Sequence, residues 1–390
     1  MDSNRNTNSV RVLDLDSQLS KNIGNKVFVS PGMPELEMHG RQLSFFEFWP
    51  TWLIYFPVFV QVLVMALLRG SITLPLLANP RIHLGGMVGV PKSSLLEQAG
   101  SLANQVILTW FIYEVNESTV SNQADQIEKN MASHALKYPL VCKPDIGCRG
   151  SGVKLVRDRA TLEQCITRYP AGSKLMIQRL SDWEPEAGLF YVRYPGQESG
   201  RIISLGLKYM PYVLGDGGHT LEELIAMDPR ARLKQELYLS RHKASLKKVL
   251  PEGEPYRLVF SASHCRGAVF RNGQQFITPV LSDRIDQLMK DIPEFYYGRL
   301  DIKFRDIESL SAGEDIQIVE INAASSESLH IWDRNTSYFD ALRTLFWQYK
   351  TLFEIGAENF RRGYKVPGIR ALWHGWRLEK KLSKHHPVTD

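Results

Sequence analysis

Gly298-Arg299-Leu300-Asp301-Ile302-Lys303-Phe304 and Ile316-Gln317-Ile318-Val319-Glu320-Ile321-Asn322 decide the reading of this chain. Both segments have the alternation and the β-branched or aromatic content of strands. Strand side chains repeat every two residues, so Glu320 and Asn322 share a face, as do Arg299 and Asp301. With the two strands side by side, two carboxylates and an amide oxygen form a hard oxygen cage. Mg²⁺ takes such ligands and keeps positions for substrate phosphates. Arg299 sets a fixed cation on the same face. The plainer alternatives are that Asp301 pairs with Lys303 or Arg305 on a surface, and that Glu320 is a buried acid bonded to backbone.

The chain has 390 residues, 44% hydrophobic and 23% charged, a globular composition long enough for two or three subdomains. A net charge of +5 favours anionic ligands or an anionic surface and does not single out nucleic acid as a partner. Cys142, Cys148, Cys165 and Cys265 form no CxxC pair, which argues against a zinc site or redox dithiol and suits a reducing, cytoplasmic setting. The histidines show no HExxH spacing. The N-terminus is polar, rich in Asn and Ser, and lacks the apolar core of a signal peptide; disorder is expected there.

Residues 48–68, FWPTWLIYFPVFVQVLVMALL, carry no charge and meet the length of a membrane span. Trp49, Trp52 and Arg69 have the character of interfacial anchors, while Pro50 and Pro57 interrupt the first half. A span, a helix lying on the bilayer and a buried helix all fit this composition. Gly85, Gly86 and Gly89 ahead of Lys92 suggest a phosphate loop but lack the Walker spacing, so a linker into a helix is the better reading. The basic, tryptophan-bearing stretch 370–386 suits either anionic lipid or a solvated terminal helix.

Residues 138–156, YPLVCKPDIGCRGSGVKLV, read as strand, glycine turn, strand. Lys143 ends the first strand. Gly147, Gly150 and Gly152 let backbone approach a ligand, with Arg149 and Ser151 between them, so the turn can cradle an anion. Strands are expected at 174–180, 189–194 and 201–209, helices at 94–103, 123–136 and 240–249, and a long amphipathic helix at 338–360.

KPDIGCRGSGV, then GDGGHTLEELI, then GRLDIKF with VEINAA, resembles the ATP-grasp superfamily, and most of all its carboxylate–amine ligases of the D-alanine–D-alanine ligase and cyanophycin synthetase groups. The resemblance runs from about Gly89 to Arg334. It implies an α+β fold in which two subdomains clasp ATP. It implies that Lys143 reaches the α- and β-phosphates and that the turn with Gly147, Arg149, Gly150, Ser151 and Gly152 covers them. Gln178, Arg179 and Leu180 would be the hinge against adenine, and Glu186, with Glu184 competing, the ribose acid. Lys208 would be a second phosphate lysine, and Asp301, Glu320 and Asn322 the ligands of Mg²⁺ or of Mn²⁺ in its place. Arg299 would stand beside the reacting carboxylate, with Ser325 and Ser326 near the substrate. The implied organisation is a polar N-terminus (1–44), an apolar helix (45–70) and a shortened lead-in (71–137). Central (138–215) and C-terminal (216–335) ATP-grasp subdomains follow, then a helix and basic tail (336–390).

Two departures concern the substrate rather than ATP: a full N-terminal domain is missing, and the loop AASSES lacks the Pro-Gly often found there. The implied activity is amide or peptide bond formation from a small carboxylic acid and an amine. A kinase acting on a hydroxyl and a non-catalytic nucleotide-binding module are the alternatives. Expected partners are these small molecules, a membrane surface and a second copy in a homodimer, without nucleic acid.

Overall fold

The structure, a computed structural model, describes residues 27–37, 44, 46, 49–147, 151–261, 263, 266–384, 386–387 and 389. The expected N-terminal disorder falls largely outside these residues, as do Arg149 and Gly150 of the glycine turn.

Two antiparallel sheets organise the chain. The smaller contains β1 (Trp110–Glu114), β2 (Leu140–Pro144), β3 (Lys154–Val156) and β4 (Lys174–Arg179), in the order β1-β4-β2-β3. Helices Val120–Ser133 and Arg159–Ile166 cover it, burying Ile127, Leu162 and Ile166 against Phe111, Leu140 and Ile177. Each helix starts where a side chain satisfies an orphan backbone N–H: Thr119 for the first, and Asp158 in a capping box with Thr161 for the second.

The chain then builds β5 (Glu186–Val192) and β6 (Arg201–Tyr209) and leaves on an excursion carrying the short pair β7 (Tyr212–Leu214) and β8 (Pro255–Arg257). That excursion holds its own small core of Leu221, Leu224, Ile225, Tyr238, Leu250 and Leu258. It returns as β9 (Val269–Asn272), β10 (Tyr297–Phe304) and β11 (Ile316–Asn322). The larger sheet is ordered β11-β10-β5-β6-β9, every pair antiparallel. Helix Pro279–Lys290 buries Leu281, Ile285, Leu288 and Met289 under it.

The boundary expected at residue 138 does not follow the sheets, because β1 lies ahead of it yet pairs with β4. The boundary at 215 likewise parts β5 and β6 from β10, to which β5 is bonded. Sheet partners are distant in sequence, so a linear reading divides the chain where the fold joins it. Two helices also differ. Residues 94–103 form two short turns, Lys92–Leu96 and Ser101–Asn104, separated at Gly100. The expected 240–249 helix ends at Arg241, as Gln235–Arg241.

The apolar run forms helix Thr51–Arg69 with Pro50 at its N-cap, Pro57 inside and Gly70 in the left-handed conformation at its end. Pro57 falls within the second turn and does not break it. Ile54 and Val58 pack on Ala341, Leu342 and Leu345 of helix Tyr338–Arg361. Gln61, the one amide in the run, donates Nε2–H to the Phe346 carbonyl at 2.8 Å.

Candidate active site

β10 and β11 pair with Arg299 opposite Asn322 and Asp301 opposite Glu320. Cross-strand partners share a face, so all four side chains stand on one side of the sheet, as the period of two implies. The register then slips between Asp301 and Ile302. This bulge re-phases β11: Ile318 is buried while Val319 and Glu320 both face outward. Its consequence is a freed Val319 carbonyl, which accepts from Lys143 Nζ at 3.1 Å and Gln178 Nε2 at 3.2 Å. Both donors come from the smaller sheet, so the bulge is where the two halves meet. A second link lies at the β11 edge, where Leu108 N–H donates to Ile318 and Ile318 N–H to Val106.

A cleft of about 890 Å³ runs between the sheets, lined by Lys143 and Gln178 on one side and Lys208, Arg299, Asp301 and Glu320 on the other. Its floor needs glycine. Gly188 lies opposite Asp301, and a Cβ there would sit 2.6 Å from Leu329 Cδ1 and 3.0 Å from Arg299 Cδ.

Asp301 is the centre of a buried ion cluster. Its Oδ1 accepts from Arg299 Nε at 2.9 Å and Lys208 Nζ at 3.0 Å. Its Oδ2 accepts from Arg299 Nη2 and Asn322 Nδ2, each at 3.1 Å. Burial alone would raise its pKa, but Arg299 and Lys208 hold the carboxyl well below the usual carboxylate range. Glu186 is similar: burial opposes ionisation, while Lys208 and Lys303 keep the acid low, at 2.8 and 3.3 Å. Lys208 loses by burial yet is raised by Asp301 and Glu186.

Lys143 differs from its neighbours. It is 3% exposed, and burial brings its pKa down to about 8, against the pull of Glu320 and with Lys92 adding to the fall. A triphosphate needs the ammonium form. Below about pH 8 the ammonium is already present; above it, binding must first restore a proton. Should the cleft take ATP, as the resemblance implies, its affinity would therefore fall by up to about tenfold per pH unit above 8. Calorimetric titrations between about pH 7 and pH 9.5 check this, and a flat affinity would contradict it.

The remaining expected residues are distributed as follows. Glu320 makes a long ion-pair contact, 3.9 Å, to Lys92 Nζ. Arg179 turns outward to Asp182, and its backbone N–H is spent on the Thr109 carbonyl. Leu180, Ser325 and Ser326 line the cleft. Glu184 is half exposed and pairs with Arg257 at 2.7 Å, whereas Glu186 is tied up by two lysines. Gly147 accepts from Lys92 Nζ at 2.7 Å. Ser151 borders the undescribed part of the turn, and the Gly152 N–H donates to the Thr389 hydroxyl at 2.9 Å.

Sequence reasoning set Lys92 aside, and the structure brings it into the cleft. The run Gly85, Gly86, Gly89 was its signal, without the spacing that would have made it specific. Ser93 N–H and Oγ both donate to Asp145, which fixes the Lys92 turn beside β2. Glu327 was also missed. It accepts from the Tyr55 hydroxyl and from Trp332 Nε1 at 2.9 Å, while its carbonyl accepts from Arg299 Nη1 at 3.1 Å. Its link to the site could not be read locally, because Tyr55 and Arg299 are 272 and 28 residues away.

Among the described residues, no three His, Cys, Asp or Glu side chains gather as a metal cluster. Asp301, Glu320 and Asn322 supply two carboxylates and an amide. That donor set fits Mg²⁺, whose remaining positions go to phosphate and water.

No family model and no curated protein matches the chain. Solved structures similar to it include a bifunctional glutathione synthetase from Pasteurella multocida, at 14% identity and TM-score 0.32, covering 66% of this chain and 36% of that one. The D-alanine–D-alanine ligase from Coxiella burnetii is 9% identical, covering 75% and 66% at TM-score 0.35. That from Bacillus anthracis is 13% identical, covering 70% and 74% at TM-score 0.37. The chain thus spans about a third of the glutathione synthetase, and likeness at this level transfers no activity or substrate. Two facing antiparallel sheets, with Lys143 on one and Asp301, Glu320 and Asn322 on the other, give this chain an α+β architecture with a cleft between its two halves.

Proposed function

We propose that the protein is an ATP-dependent carboxylate–amine ligase that forms an amide or peptide bond through an acyl phosphate. The observation that carries this reading is the register Asp301–Glu320 and Arg299–Asn322 facing Lys143 across one cleft.

A carboxylate is a poor electrophile, and transfer of the γ-phosphoryl group converts it into an acyl phosphate that an amine can attack. Lys143 and Lys92, at the glycine-turn end, hold the triphosphate. Glu320, Asn322 and Asp301 would hold Mg²⁺, or Mn²⁺ in its place, which when bound supplies countercharge to the phosphate oxygens. Lys208 stands close enough to the same face to offset charge on the transferring group. Arg299 is fixed by two bonds to Asp301, so its guanidinium is oriented before substrate arrives and can steady the oxyanion formed on amine attack. Gln178, Arg179 and Leu180 line the adenine end, and Glu184, the more exposed acid, competes with Glu186 for the ribose. Ser325 and Ser326 contribute hydroxyls at the acceptor end. The enzyme would work in the cytoplasm, where ATP is available.

A screen of acids and amines in pairs tests this. The ligase releases ADP and free phosphate only when both partners are present. A kinase on the same scaffold would leave phosphate on a hydroxyl product and release none, which would overturn the ligase reading.

A further inference from the structure

We infer that the outer face of helix Thr51–Arg69 lies in the surface of an anionic lipid bilayer, and that the acceptor end of the cleft, which this helix walls, takes a membrane-resident amphiphile. The second half of this statement rests on the ligase reading; the first does not.

A core helix of this composition would be buried, yet only Ile54 and Val58 are. Trp52, Phe56, Phe59, Leu63, Leu67 and Leu68 are exposed, from 40% to 84%. That is a continuous apolar surface of a size that soluble monomers rarely leave to water. The inner face excludes a simple span. It packs on helix Tyr338–Arg361, whose other positions include Arg343, Lys350, Glu354 and Glu358. Burying the apolar helix across the hydrocarbon would carry those charges with it, at a cost of several kcal/mol each. A helix with one face docked on protein and one face of Trp, Phe and Leu is the interfacial arrangement.

Charge complementarity selects lipid as the occupant. Helix Ile369–Ser383 also reaches the cleft, at Glu379, and exposes Trp373, Trp376 and Leu378 among Arg370, Arg377, Lys380 and Lys381. Arg377 lies over the Trp373 ring at 4.6 Å and Lys380 over Trp376 at 4.3 Å. Indole rings paired with cations suit the headgroup layer, where each ring is half solvated and each cation meets phosphate.

The link to the site is Tyr55. It belongs to the apolar helix, and its hydroxyl donates to Glu327, whose backbone carbonyl holds Arg299. Trp49, Ile54 and Tyr55 line the same cleft as Arg299 and Asp301. A headgroup bearing the reacting amine or carboxylate can sit at Glu327 and Arg299, beside Tyr55 of the docked helix.

Flotation of the full chain with phosphatidylcholine vesicles, with and without phosphatidylglycerol, tests the docking. The wild type should float with the anionic vesicles and lose binding as salt rises. Combined Phe56→Ser, Phe59→Ser and Leu63→Ser should lower vesicle partitioning on the order of a hundredfold while ATP binding stays unchanged. A wild type that stays in solution, a triple variant that floats equally well, or a stable dimer that hides this face would overturn the docking. In the phosphate-release screen, the productive partner should be an amphiphile presented in vesicles. A productive pair of two water-soluble substrates would overturn the substrate half. No release from any pair would count against the ligase reading instead, leaving the flotation result standing.

Discussion

Glu320→Gln should lower ATP turnover by roughly 10²–10³-fold with the fold intact. The charge it removes belongs to a cleft carboxylate whose ion-pair contact, to Lys92, is a long 3.9 Å. A carboxylate left this free in a site lined by lysines is available to a cation that arrives with phosphate. The substitution keeps size and shape, and Glu320 is partly exposed, so no buried charge is orphaned. Losing one such ligand costs several kcal/mol of charge stabilisation, and each 1.4 kcal/mol or so is a factor of ten in rate. Steady-state ADP release, alongside an unchanged melting curve, checks it. Turnover within about threefold of wild type would remove Glu320 from the machinery.

Asp301→Asn should act the other way, on stability first. Asp301 is 9% exposed and is the shared counter-charge of Arg299 and Lys208. Removing it takes from buried Arg299 its close carboxylate, while Lys208 keeps Glu186, and breaking a buried pair on one side costs about 3–5 kcal/mol. Chemical denaturation should show this loss. Adding Arg299→Met to Asp301→Asn should recover part of it, because the second change removes the stranded charge. The same cluster sets the response to acid. Folded Asp301 and Glu186 are held below their ordinary values. Their stabilisation is therefore complete above the unfolded carboxylate pKa of about 4 and drains away as pH falls below it. Asp301→Asn should flatten that acid limb. A variant as stable as wild type, with the same acid profile, would contradict the cluster's role.

The shared face of Arg299, Asp301, Glu320 and Asn322 was legible in the sequence because it depends on one period. GRLDIKF alternates throughout and EIN ends the second segment in the same way, and a strand with one buried face can satisfy that alternation in only one way. Lys143 was legible for a similar reason, standing at the end of an apolar strand just before glycines. What could not be read depends on contacts between distant segments. The bulge at Val319 shows in IQIVEIN only as a shift of the apolar phase, from Ile316 and Ile318 to Ile321, and nothing there says that it supplies the carbonyl that ties Lys143 and Gln178 to the larger sheet. Glu186 fits the ribose acid by position, while the fold surrounds it with Lys208 and Lys303. Strand β1 sits in what reads as a lead-in and completes the smaller sheet through β4. The apolar run announced itself by composition alone, but only the packed Ile54 and Val58 show that one face is already occupied.

ATP titrated calorimetrically into the full chain, in Mg²⁺ and then in EDTA, asks most directly whether this cleft gathers metal and triphosphate. Binding should be at least about tenfold tighter with Mg²⁺, and Glu320→Gln should erase most of that difference. Equal affinity in Mg²⁺ and EDTA, or a metal dependence that survives Glu320→Gln unchanged, would contradict it.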